Sequence, residues 1–395
     1  MSIIYVFFVL SAILISFPFI IYPLSLKLIS LFINKENDRN ISDDELPTVT
    51  LIITAYNEEK VIERKLEEAV CYKYPEGKFD IIVASDDSTD LTNQIVQDFI
   101  SKRTIGTFPK VTLLVVKGRR GKTVAQNVAV KSAEGEIIAF SDANSTWDPF
   151  ALLHMMKQFV KSRVGYVCGQ LKYINTGADM TSHAEGMYWN FDLEIRKLES
   201  RISSIVGGNG AIYAIKKDLY VDLPPLLSHD GFMPTKMVLQ GATAKYEEKA
   251  IAFEKASENS DDEFNRKVRM QRGQPWKKYT DIQKFNVFKY GWFSYFYFGH
   301  KYVKYLLYIL HPMLYITNLL IINEGTFFLL SFTAQSLFYV FSLFGYLLRK
   351  KRKIMLFYYP YHYSLTIAAQ IYSIVNTLKG QSKATWEKSE TTRNI

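Results

Sequence analysis

Cysteine is scarce in this 395-residue sequence, which contains only Cys71 and Cys168 and has no CxxC spacing. Secreted domains held together by disulfides and zinc sites made of thiolates both need several closely spaced cysteines. Two isolated cysteines therefore argue against both classes of protein. They are compatible with a reducing compartment.

Two common nucleotide-binding motifs are also missing. No GxGxxG follows the first predicted strand and no GxxxxGK[ST] occurs in the chain, which argues against dinucleotide-binding and P-loop proteins. There is no internal repeat and no low-complexity linker. The formal net charge of +9 suits nucleic acid, acidic lipid or an anionic substrate. Nothing beyond this charge indicates nucleic acid, and we expect no nucleic-acid partner.

Long hydrophobic runs are present at both ends of the chain. No charged side chain occurs from Ile3 to Leu26. This run exceeds the roughly 20 residues that cross a membrane, and Pro18 and Pro23 should kink such a helix. A signal peptide is the alternative, but the first residues carry no charged side chain and no small-residue cleavage site follows the run. We therefore expect a transmembrane anchor over residues 1–35.

Three further apolar segments lie near the other end: Tyr305–Ile322, Thr326–Leu348 and the weaker Ile354–Leu378. Basic residues cluster at Arg349–Lys353, and such clusters stay on the cytoplasmic side of a membrane. The aromatic stretch Phe285–Phe298 is typical of a segment in the membrane interface. We expect an interfacial helix over residues 281–303 and a membrane region over 304–380. Two spans with a re-entrant third segment would leave the tail, 381–395, in the cytoplasm, whereas three full spans would place it outside.

The charged middle of the chain alternates short apolar strands with amphipathic helices. The predicted strands are Val49–Thr54, Asp80–Ala84, Val111–Val116 and Glu136–Phe140. Helical patterns lie between successive strands, including one that begins at Lys122. This alternation predicts a parallel sheet with right-handed crossover connections.

Polar residues follow each predicted strand. Tyr56 and Glu58 follow the first, Asp86 and Asp87 the second, a basic loop ending in Lys122 the third, and Asp142 the fourth. The carboxyl ends of parallel strands share one edge of a sheet, where open α/β folds bind ligands. An aromatic ring can stack on a base, carboxylates can accept from base or ribose, and basic side chains can neutralise phosphates. The sequence therefore predicts a site for a nucleotide diphosphate.

The order and spacing of these motifs resemble the family 2 inverting glycosyltransferases, which include cellulose, chitin and hyaluronan synthases. The resemblance runs from Val49 to about Trp276, and its motifs are Thr54–Glu59, Asp86–Asp90, Gly118–Thr123, Phe140–Asn144, Gly207–Ala211 and Asp230. It implies an α/β fold of the GT-A type, Rossmann-like with a mostly parallel sheet. This domain is expected over residues 46–280, in the cytoplasm, with transmembrane helices on both sides.

Carried over residue by residue, the resemblance implies a donor site and an acceptor site. The residues implied to bind the nucleotide-sugar are Tyr56, Glu58, Asp86, Asp87, Arg120, Lys122, Asn127, Asp142, Arg269 and Arg272. Those implied on the acceptor side are Gly207, Gly208, Asn209 and Trp276. Processive synthases carry a tryptophan directly after the second arginine of a Q/R-x-x-R-W motif. Gly273 stands there in this chain, which weakens the case for a long processive polymer.

The resemblance also implies a divalent cation, Mg or Mn, and a catalytic carboxylate. Asp142 opens the D-x-D motif of the family, but its second acidic position is Asn144, a neutral and weaker ligand. His229 would approach the metal or serve as a local hydrogen-bond partner. The implied metal ligands are thus Asp142, Asn144 and His229. Asp230 is the implied base, because the acceptor hydroxyl loses a proton as it attacks the anomeric carbon. The alternative for Asp230 is a helix cap or a surface ion pair.

The sequence therefore predicts a membrane-bound inverting glycosyltransferase. It is expected to transfer a sugar from a nucleotide-sugar, first of all a UDP-sugar, to a growing polysaccharide or a lipid-linked glycan. The expected location is a bacterial-type plasma membrane, among membrane lipids and with room for an export or polymerisation partner. Two alternatives stay open. One is a transferase that loads a polyprenyl phosphate, and the other is a membrane scaffold that binds nucleotide-sugars with weak catalysis.

Overall fold

The computed structural model describes residues 2–33, 41–104, 106–161, 163–175, 180–256, 260–272, 282–349 and 354–385. Its centre is an eight-stranded sheet in the order β3-β2-β1-β4-β7-β6-β8-β5. The strands are β1 Val49–Ala55, β2 Phe79–Ser85, β3 Lys110–Val115, β4 Ile137–Asp142, β5 Thr146–Trp147, β6 Val164–Tyr173, β7 Ile212–Lys216 and β8 Thr243–Glu254.

Helices flank the sheet and continue into the two apolar ends. The first nine are α1 Ser2–Ser16, α2 Tyr22–Ser30, α3 Ile62–Ala69, α4 Thr92–Ser101, α5 Lys122–Ser132, α6 Ala151–Phe159, α7 Met180–Ile202, α8 His229–Leu239 and α9 Ser260–Gln271. The C-terminal part contains the helices Val287–Tyr290, Trp292–Phe296, Val303–Tyr305, Leu307–Leu320, Thr326–Leu348 and Met355–Leu378.

Strands β1 to β4 form the parallel half of the sheet. β1 pairs with β2 on one side and with β4 on the other, and β2 pairs with β3, all in parallel. Leu51 belongs to the same buried cluster as Leu66 of α3, whereas Ile52 belongs to the cluster of Val130 in α5. Cover on both faces explains the uninterrupted apolar run of β1. The four predicted strands and the three helices between them are confirmed.

The other half of the sheet is mixed. β7 is antiparallel to both β4 and β6, β5 is antiparallel to β8, and β6 is parallel to β8. Six of the eight strands run in the same direction, as the prediction of a mostly parallel sheet requires, and β5 and β7 run in reverse and make the sheet mixed. Strand β7 lies beside β4 in the reverse direction, with Ile212 opposite Ser141. The simple strand–helix repeat therefore ends at β4.

The apolar ends form long helices. α1 and α2 are joined by a π-helical turn, Phe17–Ile21, which contains Pro18. A proline lacks the N–H that continues the helical ladder, and the local change to a π-turn accommodates it. Among the described residues two segments, Ser2–Ser30 and Thr326–Leu348, are long and apolar enough to cross a membrane, and Leu307–Leu320 is apolar but shorter.

A buried polar cluster joins the N-terminal helices to the sheet domain. We call it the His300 cluster. His300 Nδ1 lies 2.8 Å from Glu199 Oε1 and its Nε2 lies 2.7 Å from Asp192 Oδ1. The Tyr22 hydroxyl of α2 donates to Glu199 at 2.6 Å, and Arg196 pairs with Asp192 at 2.6 Å. Burial raises the pKa of Asp192, but the charges of Arg196 and His300 outweigh this effect and hold the pKa well below its usual range.

Candidate active site

The loops after β1 and β2 bind each other at the carboxyl edge of the sheet. The Asn57 side chain accepts a hydrogen bond from the Thr89 backbone N–H at 2.8 Å. Asn57 and Asp87 both adopt left-handed backbone conformations, with φ of 53° and 57°. Asn and Asp tolerate this region better than most residues. The polar residues that follow these two strands therefore shape the edge as well as line it.

The basic loop after β3 is held in place by two carboxylates. Asp86 accepts from the backbone N–H groups of Arg120 at 2.7 Å and Gly121 at 2.9 Å, and Asp87 accepts from Gly118 at 2.9 Å. Asp86 is 1% exposed, and each of its two carboxylate oxygens accepts one of these backbone N–H groups. Sequence analysis assigned Asp86 to the nucleotide. The structure instead makes it the residue that shapes the loop on which a nucleotide would lie.

Tyr56 and Glu58 follow β1 at the same edge. The guanidinium of Arg119 lies 4.3 Å from the centroid of the Tyr56 ring, which is a cation–π contact. This arginine was not among the individually predicted site residues, although it belongs to the same basic loop. Glu58 is buried, and its backbone N–H donates to the Thr92 hydroxyl at 2.8 Å. The aromatic ring and the basic loop thus form one wall.

Three charged side chains meet beside Gly210. Lys122 at the start of α5 forms an ion pair with Asp142 at the end of β4, and each side chain is 28% exposed. A Cβ placed on Gly210 would lie 3.2 Å from Lys122 Nζ, 3.5 Å from Asp142 Oδ2 and 4.0 Å from Asp230 Oδ2. The structure therefore brings Lys122, Asp142 and Asp230 together. Gly210, which allows this approach, was absent from the predicted site.

Asp230 lies in the first turn of α8, and its backbone carbonyl accepts from Gly208 N–H at 2.8 Å. This bond ties the helix to the loop Gly207–Gly210. A Cβ on Gly208 would lie 2.1 Å from the Tyr166 hydroxyl, and one on Gly207 would lie 2.7 Å from Lys301 Nζ. Both glycines are thus positions of close approach, which explains their residue type.

Two predicted binding residues have side chains built into the fold. Asn209 is buried and donates to the Gly169 carbonyl at 2.9 Å, while its oxygen accepts from Ala211 N–H at 3.1 Å. Asn127 accepts from the Tyr220 hydroxyl at 2.6 Å and donates to the Leu223 carbonyl at 2.9 Å. The amide group of Asn209 fixes the loop Gly207–Gly210, which we call the acceptor loop after its predicted role, and that of Asn127 fixes α5. Neither amide group is free to donate to a ligand.

His229 was predicted as a metal ligand, and the structure gives it other partners. Its Nε2 lies 3.0 Å from the Tyr220 hydroxyl and 3.1 Å from Asn127 Oδ1, and its Nδ1 lies 3.4 Å from the Tyr213 hydroxyl. Burial, with a smaller contribution from the charge of Lys122, lowers the pKa of His229 to about 3. These contacts agree with the alternative that His229 is a local hydrogen-bond partner rather than a metal ligand.

The remaining donor set suits a cation shared between protein and diphosphate. Within the described parts of the chain, no group of three or more His, Cys, Asp or Glu side chains gathers as a metal cage. Mg and Mn at phosphates typically use one or two carboxylates together with phosphate oxygens. Asp142 offers such a carboxylate, partly exposed at the sheet edge, and Asn144 lies buried two residues further on.

Arg272, directly after α9, lies against the C-terminal segment. Arg272 donates to the carbonyls of Lys383 at 2.8 Å and Thr385 at 3.3 Å. Burial and the nearby charge of Arg269 lower the pKa of Arg272 to about 10. Ala384 lies beside the basic loop, because a Cβ on Gly121 would be 2.8 Å from the Ala384 carbonyl oxygen. The predicted acceptor residue Trp276 falls outside the described residues.

The architecture matches that of a solved glycosyltransferase. The chain aligns over 95% of its length with the structure described as "Mannosyltransferase PcManGT from Pyrobaculum calidifontis in complex with GDP-Man and Mn2+", and it covers 100% of that chain. The TM-score is 0.71 and the sequence identity is 20%. A likeness at this identity establishes the fold, a Rossmann-like GT-A fold with a mixed sheet.

Sequence comparison matches part of the sheet domain to a family model. The model for "Glycosyl transferase family 2" matches residues 50–222, so the part of the chain from β1 to just beyond β7 is similar to the domains of that family. It is 25% identical over 58% of its length to "Probable glycosyltransferase YdaM" of Bacillus subtilis. It is also 25% identical over 61% of its length to "Poly-beta-1,6-N-acetyl-D-glucosamine synthase" of Staphylococcus aureus. The chain spans 56% and 57% of the lengths of these curated relatives.

A third relative has a lipid in its name. The chain is 26% identical over 42% of its length to "Beta-monoglucosyldiacylglycerol synthase" of a Nostoc species, and spans 35% of that protein. Relatives of this domain are thus named for both polysaccharide and lipid products.

Proposed function

We propose that this chain is an inverting glycosyltransferase that moves a sugar from a nucleotide-sugar to a glycan or lipid-linked acceptor. The observation that carries the proposal is the convergence of Lys122, Asp142 and Asp230 around Gly210. A cation-binding carboxylate and a basic side chain suit the leaving diphosphate, and a second carboxylate, Asp230, lies beside the same glycine. The three belong to different elements, β4, α5 and α8, that the fold brings to one edge.

Different residues would bind the nucleotide, stabilise the leaving group and accept the proton. The loop after β3 and the Tyr56–Arg119 wall hold the nucleotide, with Asp86 keeping the loop N–H groups in place. Lys122 stabilises negative charge on the departing diphosphate. Asp230 accepts the proton of the acceptor hydroxyl as that oxygen attacks the anomeric carbon from the opposite side. Inversion in a single displacement needs no covalent intermediate on the enzyme.

A divalent cation fits this scheme. Asp142 would hold it, with Asn144 the neighbouring oxygen donor, and His229 would take no part. When bound, the cation supplies positive charge to the diphosphate oxygens. Binding it requires Asp142 to exchange part of its contact with Lys122 for the metal. The lysine would then be free to meet a phosphate oxygen.

Membrane attachment is part of the proposal. The apolar segments Ser2–Ser30 and Thr326–Leu348 are the candidate spans, and the exposed Leu329, Leu330 and Leu343 on the second would face lipid. The sheet domain would then lie at the membrane surface on the cytoplasmic side. This placement suits an acceptor that is itself held in the membrane.

The decisive test is nucleotide release by the purified full chain in nanodiscs. UDP- and GDP-linked sugars would be screened with Mn or Mg and a membrane lipid extract as acceptor source, using Asp230→Asn. We expect metal-dependent release of one nucleotide that falls 10²- to 10⁴-fold in the variant, the usual contribution of a general base. Asp222→Asn is the matched control, because Asp222 pairs with Lys131 on the surface.

Release from one donor would also name the sugar. If no donor is consumed while nucleotide-sugar still binds, the scaffold alternative replaces the enzyme. Equal rates for wild type and Asp230→Asn would remove Asp230 from the mechanism.

A further inference from the structure

Lys301 lies beside the loop Gly207–Gly210. It lies in the π-helical turn Tyr297–Tyr302 and is partly buried. Its ammonium approaches the backbone of the acceptor loop, since a Cβ on Gly207 would lie 2.7 Å from Nζ and 2.8 Å from Cε. Among the described residues it forms no hydrogen bond or ion pair. A charge with limited access to water normally has a partner, and a ligand anion could supply one here.

The two carboxylates of the His300 cluster already have partners. Asp192 pairs with Arg196 and contacts His300, while Glu199 contacts His300 and the Tyr22 hydroxyl. Lys304, one turn further along, lies 3.8 Å from Asp192 and 5.5 Å from the Tyr188 ring centroid. Burial and then the charge of Arg196 lower the pKa of Lys301, and Asp192 and Asp230 only oppose that shift.

A second cation nearby also has unused donors. Arg196 pairs with Asp192 through Nη2 and its guanidinium lies 4.9 Å from the Trp189 ring centroid, but its Nε and Nη1 are buried without a hydrogen-bond partner within the described parts of the chain. Two basic side chains with unmet donors, next to the loop that contacts Asp230, form an anion-binding environment. The hydrogen bonds that hold the basic loop, and the Lys122–Asp142 ion pair, involve neither of these two side chains.

The anion site faces the apolar end of the molecule. The turn that carries Lys301 packs on the N-terminal helices, with the Phe298 ring 5.5 Å from Phe17, and Tyr22 belongs to the same buried cluster as Tyr297. These helices include the candidate span Ser2–Ser30. An anion held here would sit where the sheet domain meets the membrane.

We propose that Lys301 binds a phosphate group of a membrane-held acceptor, so that the enzyme glycosylates a lipid-linked phosphate compound rather than a free neutral glycan. The inference deepens the proposed function and rests on it. Lys301 is thereby a specificity-determining residue on the acceptor side. It positions the acceptor beside Asp230 and takes no proton in the reaction.

Binding of dodecyl phosphate tests this inference without relying on turnover. The full chain in neutral detergent would be titrated by calorimetry with dodecyl phosphate, inorganic phosphate and dodecyl maltoside. We expect Lys301→Met to weaken dodecyl phosphate at least tenfold, because a charge-assisted contact contributes about 1.5–3 kcal/mol and tenfold is about 1.4 kcal/mol. Lys304→Met, which removes a charge from the same face but not from Gly207, should change affinity less than twofold.

Gly207→Ala is a second, independent variant. Its methyl group would lie 2.7 Å from the present position of the ammonium and would push it away. The variant should therefore weaken the binding of dodecyl phosphate as Lys301→Met does, although Lys301 is still present. Equal binding to wild type and both variants would overturn the inference. Equally tight, Lys301-dependent binding of inorganic phosphate would replace the lipid with a soluble phosphate ligand and would also overturn it.

Hydrolysis of the nucleotide-sugar, measured as nucleotide release without an acceptor, distinguishes failure of this inference from failure of the proposed function. If wild type releases no nucleotide from any donor, the proposed function fails whatever dodecyl phosphate does. If wild type and Lys301→Met both release nucleotide to water but bind dodecyl phosphate equally, the proposed function stands and the lipid-phosphate inference fails.

Discussion

Gly210 presents only a hydrogen atom to Lys122, Asp142 and Asp230. Any larger side chain would stand among these three charges, with its Cβ 3.2 Å from Lys122 Nζ. At this position the absence of a side chain is therefore a requirement of the site, and not of the backbone, because Gly210 does not have a positive φ.

His229 gives a residue-scale prediction about pH. Its pKa is lowered to about 3 by burial, so below its ordinary value of about 6.5 the unfolded chain binds a proton that the folded chain does not. The stability that depends on neutral His229 is complete above pH 6.5 and is lost as the pH falls toward 3. We expect about 1.4 kcal/mol less stability at pH 5.5 than at pH 7.5 from this residue.

Thermal unfolding in detergent at the two pH values measures the effect. His229→Asn should unfold at lower temperature at both values but should lack this part of the pH dependence. The same variant tests the metal assignment. The Mn concentration for half-maximal nucleotide release should remain within twofold of wild type, and a tenfold increase would return His229 to the metal.

The C-terminal segment gives a prediction at the scale of an element. Arg272 holds the carbonyls of Lys383 and Thr385, and Ala384 lies against Gly121 in the basic loop. Replacing Arg272 with Gln should release this segment, because it removes two charge-assisted hydrogen bonds to the segment's backbone. Hydrogen exchange followed by mass spectrometry should then show faster exchange in residues 381–385.

Arg266→Gln is the control for this experiment. Arg266 also lies on α9, but it pairs with Glu263 on the same helix at 2.8 Å. Its loss should leave exchange in residues 381–385 unchanged. Slow exchange there in the Arg272 variant would show that other contacts hold the segment.

The sequence predicts the parallel half of the sheet well and the mixed half poorly. β1 to β4 are short apolar runs separated by amphipathic helices, so their pattern is local and readable. β7 and β8 are central strands whose pairing depends on partners far along the chain, as when Val164 lies beside Thr243. No local pattern specifies that β7 runs antiparallel to β4.

The site shows the same division between local and distant information. Lys122, Asp142 and Asp230 belong to recognisable sequence motifs, and the structure brings them together beside Gly210. The partners of Asp86, Asn127, Asn209 and His229 are backbone groups and hydroxyls brought by other elements, which the sequence does not reveal. Lys301 lies in an aromatic stretch that indicates only a membrane interface. Its approach to Gly207 depends on the docking of the apolar end on the sheet domain.

At the scale of the whole molecule, the His300 cluster decides how firmly the apolar ends are attached. His300→Ala would leave Asp192 and Glu199 buried with fewer partners. Breaking one member of a buried charged network typically costs about 3–5 kcal/mol. We therefore expect a clear loss of thermal stability, measured by scanning calorimetry of the full chain in nanodiscs.

A surface ion pair is the matched control. Lys131 and Asp222 are 2.8 Å apart but 68% and 49% exposed, and exposed pairs contribute about 0–1 kcal/mol. Lys131→Ala should therefore change stability little. A similar, small effect of His300→Ala would mean that apolar packing alone holds the helices to the sheet domain.

The His300 cluster also sets an order of events during synthesis. Tyr22 and Glu199 are 177 positions apart in the chain, and Glu199 and His300 are 101 apart. The N-terminal helices and the whole parallel half of the sheet leave the ribosome before His300 exists, and domains generally fold from the N-terminus as they emerge. A nascent chain could thus complete its nucleotide-binding edge while the first helix is still unattached to it. The N-terminal helices complete their contact with the sheet domain only after the segment that contains His300 has been synthesised.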